Sequence, residues 1–285
     1  MLKVSVIIPT YNRSAMLAEA LASVRAQTRP ADELIVVDNG TVPVGDKLLA
    51  EHSDLRVERI PPQSGASFAR NWGAWTARYE ALAFLDDDDM WPVDYLARML
   101  ACLTANQSAL VAAPQRLADS LEEIEHPLPP DADGRFPRWT RLGYRGSNVV
   151  VLRRAFWSVH GFSTQMLTGE DRAFAVMLAS AGYRVSVCAG TYCLKREHAG
   201  TQLTDRSTLA LGKLCFLNKF GSQMSRTDVR EDRLAVLISL SRTWGWPLWL
   251  VGAVMAPAAA LRRASKYIPG ARARREAARS ANFPS

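Results

Sequence analysis

Four consecutive acids, Asp86-Asp87-Asp88-Asp89, follow the apolar pair Phe84-Leu85. Carboxylates this close repel one another, and burial sharpens the repulsion. Such a run is therefore a solvated loop or the seat of a cation. Oxygen-only ligands suit Mg²⁺ or Mn²⁺, ions that commonly hold substrate phosphates. A tyrosine and several polar groups stand together at Pro9-Thr10-Tyr11-Asn12-Arg13. There a ring can stack on a base and backbone N–H groups can face a phosphate, although an ordinary strand-to-helix turn fits equally well. Asp38-Asn39 closes a second apolar run. In Gly65–Gly73 the glycines permit close approach, and Arg70 can meet a base edge or a phosphate. Neither GxGxxG nor GxxxxGKS occurs, so a Rossmann dinucleotide site and a P-loop are both excluded. Glu170-Asp171, read bare, are acids at a helix start, a common structural choice. A lone His198 is likewise more often structural.

The elements that must position these residues alternate. Val4–Ile8 is an apolar, β-branched run and so a buried strand. Ser14–Ala26 carries Leu17, Leu21 and Val24 at helical spacing, with Ser14 as its N-cap. Strands are expected at Leu34–Val37, Leu55–Ile60, Ala81–Leu85 and Ala109–Ala113. Helices are expected at Val44–His52, Ser67–Tyr79 and Asp94–Leu103. Short loops between alternating elements imply a largely parallel sheet covered on both faces. The acids after Leu85 then stand at a carboxyl strand end, where open α/β sheets bind ligands. Residues 118–140, rich in Pro, Asp, Glu and Arg, read as a long loop over a site or a mobile insertion. Order returns with a strand at Gly146–Leu152, a helix from Arg154, a helix at Asp171–Ala181 and a strand at Tyr183–Val187.

The chain of 285 residues suits one large domain with an appendage. We expect a domain over residues 1–220 and a helical extension over 221–285. The four cysteines form no CxxC pair and read as reduced thiols of a cytosolic chain. The amino terminus does not read as a signal peptide, because its apolar run is short and Pro9 ends it. The net charge of +7 is concentrated late, in Arg262, Arg263, Lys266, Arg272, Arg274, Arg275 and Arg279. Just before it, Trp244–Leu261 holds no charge and opens with Trp244, Trp246 and Trp249. An aromatic rim followed by a basic flank is the pattern of a membrane interface, against the alternative of a hairpin capping the domain. We expect a peripheral protein at the cytoplasmic face of the inner membrane, touching anionic lipid. No nucleic-acid partner is expected, since no recognition pattern accompanies the basic residues.

Taken together these segments resemble a family 2 glycosyltransferase of the GT-A fold. The matching residues are Val6-Ile7-Ile8-Pro9-Thr10-Tyr11-Asn12-Arg13, Ile35-Val36-Val37-Asp38, the Gly65…Ala69-Arg70-Asn71-Trp72-Gly73 element and Phe84–Trp91. Thr168-Gly169-Glu170-Asp171 with Gly182-Tyr183 looks like the family's acceptor motif, and Arg196-Glu197-His198-Ala199-Gly200 like its late histidine segment. The resemblance spans roughly residues 3–203, and six pieces in order carry it. It implies inverting transfer of a sugar from a nucleotide-diphospho-sugar to a saccharide or lipid-linked acceptor, in surface polysaccharide or glycolipid synthesis. It implies that Pro9, Thr10, Tyr11, Asn12, Arg13, Asp38, Asn39, Arg70, Asp86 and Asp87 bind the nucleotide-sugar. Asp88, with Asp86 and His198, would hold Mn²⁺ or Mg²⁺ against the leaving diphosphate. Asp89 is expected to be structural. Asp171 would be the general base, with Glu170 as the alternative. Many members carry two acids after the second strand, and here the second is Asn39. It can donate and accept, so a UDP-sugar remains the favoured donor. A nucleotidyltransferase is disfavoured by the missing glycine- and lysine-rich loop, and a non-catalytic scaffold by the complete set of acids. A polymerising synthase is disfavoured because no set of transmembrane helices is visible.

Overall fold

The computed structural model describes residues 2–45, 55–139, 142–166, 168–197 and 206–244. The chain divides into two compact units, residues 1–201 and 202–285. The first unit runs β1 (Val4–Thr10), α1 (Ser14–Arg25), β2 (Glu33–Asp38), β3 (Arg56–Arg59), α2 (Ala66–Thr76), β4 (Ala81–Phe84), β5 (Asp89–Met90) and α3 (Tyr95–Ala105). It continues with β6 (Leu110–Ala112), β7 (Gln115–Leu117), β8 (Glu123–Glu125), β9 (Val149–Leu152), α4 (Arg153–Ser158), α5 (Glu170–Ser180), β10 (Val185–Val187) and β11 (Cys193–Lys195). The helix expected over Val44–His52 lies largely outside the described residues.

The main sheet has the order β10-β6-β9-β4-β1-β2-β3. Every strand in it is parallel except β9, which runs antiparallel between β4 and β6. A second, four-stranded sheet, β5-β11-β7-β8, stands beside it. All seven residues of β1 are buried, as a strand covered on both faces must be. Val4, Val6 and Ile8 face one layer, where Leu17, Leu21 and Val24 of α1 meet Leu96 and Met99 of α3. Ile7 faces the other layer and touches α2. A Cβ on Gly73 would stand 2.4 Å from Ile7 Cγ2, so only glycine lets the helix lie this close. Below Phe84 an aromatic cluster of Phe156, Phe162 and Phe174 ties α4 and α5 to the sheet, with ring centroids 4.7–5.6 Å apart.

Three expectations change. Arg13, not Ser14, is the α1 N-cap residue, and no side chain caps the helix; the Arg13 side chain is drawn instead to the acids of the site. The 118–140 stretch is more than a loop. It contains β8, and its Phe136 and Trp139 pack with Tyr144 into a buried cluster, with centroids 5.9 and 6.1 Å apart. The cysteines are not all free thiols. Cys102 on α3 is disulfide-bonded to Cys188, just past β10, with Cα atoms 6.0 Å apart, while Cys193 and Cys215 are free. The two were not pairable by eye because 86 residues separate them and only the β6–β10 pairing brings them together.

The second unit contains α6 (Arg206–Phe220) and α7 (Arg226–Trp244), packed on each other. Lys213 Nζ lies 2.5 Å from the buried Asp232 carboxylate, and Ser225 Oγ accepts the Asp228 N–H at 3.1 Å to cap α7. Among the described residues no helix is long and apolar enough to cross a membrane. The apolar stretch 244–261 and the basic tail lie outside them, apart from Trp244.

Candidate active site

β1, β2 and β4 end side by side, so the residues that follow them share one edge of the sheet. Asp86 to Asp89 make a tight turn there, closed by the Asp89 N–H donating to the Asp86 carbonyl at 3.1 Å. The four acids point in different directions. Asp87 turns inward and is buried. Its carboxylate accepts from Thr10 Oγ1 at 2.7 Å, from the Tyr11 N–H at 3.3 Å and from Arg13 Nη1 at 3.1 Å. Burial raises its pKa, and the Thr10 hydrogen bond and Arg13 oppose the rise. Asp87 thus fixes the turn after β1 to the turn after β4.

Asp86, Asp88 and Asp89 form the group that can take a cation, with one carboxylate oxygen of each within 4.8 Å of the others. Asp86 and Asp88 are partly exposed, whereas Asp89 is buried at the floor. Burial, then Asp86 and Asp88, push the Asp89 carboxyl up to about 8; Ser147 and Lys195 pull the other way. An oxygen-only, partly buried set of three carboxylates fits a hard divalent ion. Asp89, expected to be structural, stands in this group with the two predicted ligands. His198 lies outside the described residues.

The turn is held from behind. Arg196 donates from Nε to the Asp88 carbonyl and from Nη2 to the carbonyls of Asp87 and Met16, each at 2.9 Å. Its Nη1 also meets Glu19 at 2.6 Å. Arg13 reaches Asp88 at 2.7 Å. Ser147, two residues before β9, accepts the Asp86 N–H at its Oγ at 3.2 Å, and its carbonyl accepts from Trp91 Nε1 at 2.9 Å.

Arg70 does not point into open space as a nucleotide ligand would. It is only 5% exposed, with Nη2 on Asp86 at 2.5 Å, Nη1 on Glu170 at 3.1 Å and its guanidinium over the Phe162 ring at 5.5 Å. Burial alone would lower its pKa, but Asp86 and Glu170 raise it above the ordinary value. Gly146 lies against it: a Cβ there would stand 2.2 Å from Nη2. This arginine joins the cation group to the amino end of α5. There Glu170 has its pKa raised, by burial first and by Asp171 second, with Arg70 holding it down. Asp171 accepts the Arg172 N–H at 2.7 Å and faces Arg145 Nη1 at 3.8 Å; Arg145 in turn binds Glu125 of β8 at 2.6 Å.

The other residues expected to bind the nucleotide gather at the neighbouring strand end. Asp38 is buried and spent on the loop that follows β2, accepting the Gly40 and Val44 N–H groups at 2.9 and 3.0 Å and binding Arg59. Asn39 Oδ1 accepts the Ser64 N–H at 2.7 Å. Asn12 adopts a positive φ of 54° and ties down the same loop, accepting from Val42 N at 3.0 Å and donating to Thr41 at 2.8 Å. Pro9 is buried within β1, and the Tyr11 ring is 40% exposed at the edge. Sequence reasoning assigned no role to Gly146, Ser147 or Arg145, and took Arg196 only as part of the histidine segment. Nothing in one sequence marks a residue that acts by holding another.

Residues 5–188 match the family model described as Glycosyl transferase family 2. The chain is similar to the validoxylamine A glucosyltransferase of Streptomyces hygroscopicus subsp. jinggangensis, at 26% identity over 257 residues. That match covers 76% of this chain but only 61% of the relative's length. It is also similar to the succinoglycan biosynthesis protein ExoW of Rhizobium meliloti, at 29% identity over 69% of this chain and 70% of the relative. Among solved structures, the mannosyltransferase PcManGT of Pyrobaculum calidifontis, in complex with GDP-Man and Mn²⁺, shares the fold. Its TM-score is 0.63 at 20% identity, over 94% of this chain and 80% of that one. S. aureus TarS 1-349, in complex with UDP-GlcNAc, gives 0.62 at 17% identity, over 88% and 79%.

Proposed function

With residues 5–188 matching that family, well over half of its length, the chain belongs to the family 2 glycosyltransferases, and we propose that it moves a sugar from a nucleotide-diphospho-sugar to an acceptor hydroxyl with inversion at the anomeric carbon. The observation that carries this reading is the pairing of two acidic groups at one sheet edge through buried Arg70: Asp86 with its cation set on one side, Glu170-Asp171 on the other. Direct displacement needs both. Asp86, Asp88 and Asp89 would hold a divalent ion, Mn²⁺ or Mg²⁺, which would supply the positive charge that a leaving diphosphate requires. Asp171 takes the acceptor proton. Glu170 is bound to Arg70 at 3.1 Å, whereas Asp171 meets its cation, Arg145, only at 3.8 Å and is the less neutralised carboxylate. Arg70 holds the donor-side and acceptor-side acids in one frame, so that attack and departure share a geometry.

The donor we favour is a UDP-sugar. Tyr11 offers an exposed ring for stacking, and Asn39, its Oδ1 already used, has Nδ2 left to donate to a base carbonyl. Thr10, Arg13, Asp38 and Asp87 serve the nucleotide indirectly, by shaping the turns it rests on. The acceptor is a saccharide or lipid-linked saccharide in surface polysaccharide or glycolipid synthesis, used at the cytoplasmic membrane face. A thermal-shift panel of UDP- and GDP-sugars with and without Mn²⁺ tests this. One nucleotide class should raise the melting temperature, and only with the metal. No shift from any nucleotide-sugar, with or without metal, would overturn the reading.

A further inference from the structure

The amino edge of the sheet, opposite the site, carries a different chemistry. Backbone hydrogen bonds set its residues in a row: Ala81 N to Lys3 O at 3.1 Å, Arg153 N to Glu80 O at 2.7 Å, Leu152 N to Ala109 O at 2.8 Å and Ala109 N to Arg184 O at 2.8 Å. Arg78 and Arg154 adjoin that row in sequence. Arg154 and Arg184 line a cleft of about 440 Å³ together with Leu2, Leu103 and Leu152. No acid lines the cleft, and among the described residues neither arginine makes an ion pair. Beside it Trp75 is 68% exposed, edge-on to Trp157 at 6.0 Å, with Arg153 donating to the Trp75 carbonyl at 3.4 Å. Three acids, Asp32, Glu33 and Glu80, belong to this edge, and Asp32 is taken by Arg29 at 2.5 Å. Glu33 is taken by Arg56 at 3.2 Å and Arg78 at 3.6 Å, so Lys3, Arg153, Arg154 and Arg184 leave a net positive face.

We propose that this amino edge is a docking face for an anionic membrane surface, with headgroup phosphates between Arg154 and Arg184 and the Trp75 indole at headgroup level. Guanidinium groups bind phosphate in a fixed fork. Tryptophan prefers the interface, where one end of the ring is apolar and the other wet. The leucine floor has a use for lipid and none for a phosphodiester strand, which decides against nucleic acid. In this orientation the catalytic edge faces away from the bilayer, so the acceptor it serves is the outer end of a saccharide standing off the membrane, not a sugar beside the lipid headgroup. The inference does not depend on which sugar is moved.

The test is hydrogen–deuterium exchange of the full chain with neutral phosphatidylcholine vesicles and with vesicles containing phosphatidylglycerol. Anionic vesicles should slow exchange at residues 153–158 and 182–186, and neutral ones should not. In the Arg154→Glu/Arg184→Glu variant that protection should vanish and vesicle partitioning fall by about tenfold or more. An unchanged melting temperature shows that the variant is folded. Sedimentation with vesicles while these residues stay unprotected overturns the proposal and leaves contact to other segments. Equal protection by inorganic phosphate alone overturns it in favour of a small-anion site. Stronger protection by duplex DNA overturns it as well.

Discussion

Replacing Arg70 with Met keeps most of the side chain's apolar bulk and removes its charge. Asp86 and Glu170 then face each other across a buried space with no cation between them. Removing one partner of a buried ion pair costs about 3–5 kcal/mol. Asp86 is 29% exposed, so solvent softens its share, and about 3 kcal/mol is the expected loss. In a unit of roughly 200 residues that lowers the melting temperature by about 6–12 °C. The loss should depend on pH, with a definite sign. Glu170 already has a raised pKa, and Arg70 is the group holding it down. Without Arg70 it rises further. The folded variant then keeps a proton that the unfolded chain releases above about pH 4.3. Its stability therefore falls as pH rises between those two values, and its deficit against the wild type is larger at about pH 8 than at about pH 5. Arg70→Lys should fall between, since one ammonium replaces a fork that spans two acids. Differential scanning fluorimetry at both pH values is the assay. A drop below about 2 °C at pH 8, or the same drop at both pH values, would refute the reasoning.

Asp88→Ala should abolish transfer and remove the Mn²⁺-dependent part of donor binding; calorimetric titration showing unchanged metal-dependent binding would remove Asp88 from the cation site. Asp171→Asn should leave donor affinity near normal and lower kcat by about 10²–10⁴, as loss of a general base does. If Glu170→Gln shows that pattern and Asp171→Asn does not, the two roles exchange. Gly146→Ala puts a methyl 2.2 Å from Arg70 Nη2. It should destabilise by about 1–3 kcal/mol and lower kcat more than it raises KM, because it moves Arg70 and not the donor.

Much of the frame was legible. β1, β2 and β4 are short apolar runs between turn residues, and a covered parallel strand has little other way to look. The carboxyl-edge position of the acids followed from that alternation. What stayed hidden has two physical sources. The first is strand direction. Val149–Leu152 is apolar throughout and reads identically whichever way it runs, so the reversal of β9 and the second sheet beside it had no local signal. The second is the choice among identical residues. Asp86 to Asp89 differ only in which way the turn aims them, and tertiary contacts to Thr10, Arg13 and Ser147 decide it. Arg70 was legible as a site residue but not as a clamp, because both of its partners come from other elements, one of them Glu170 far along the chain.

The reversed β9 has an implication for how such a chain can change. Ala113, after β6, and Asn148, before β9, are joined twice: by the Ala113 N–H to the Asn148 carbonyl at 2.9 Å, and by Asn148 Nδ2 to the Ala113 carbonyl at 2.7 Å. The whole excursion from 114 to 147 therefore leaves the sheet and returns to it at one pinned doorway. Each doubling of such a loop adds only about 0.6 kcal/mol of closure entropy. Length can therefore change in the stretch between β8 and that doorway while β7, Gly146 and Ser147 keep the turn of acids in register.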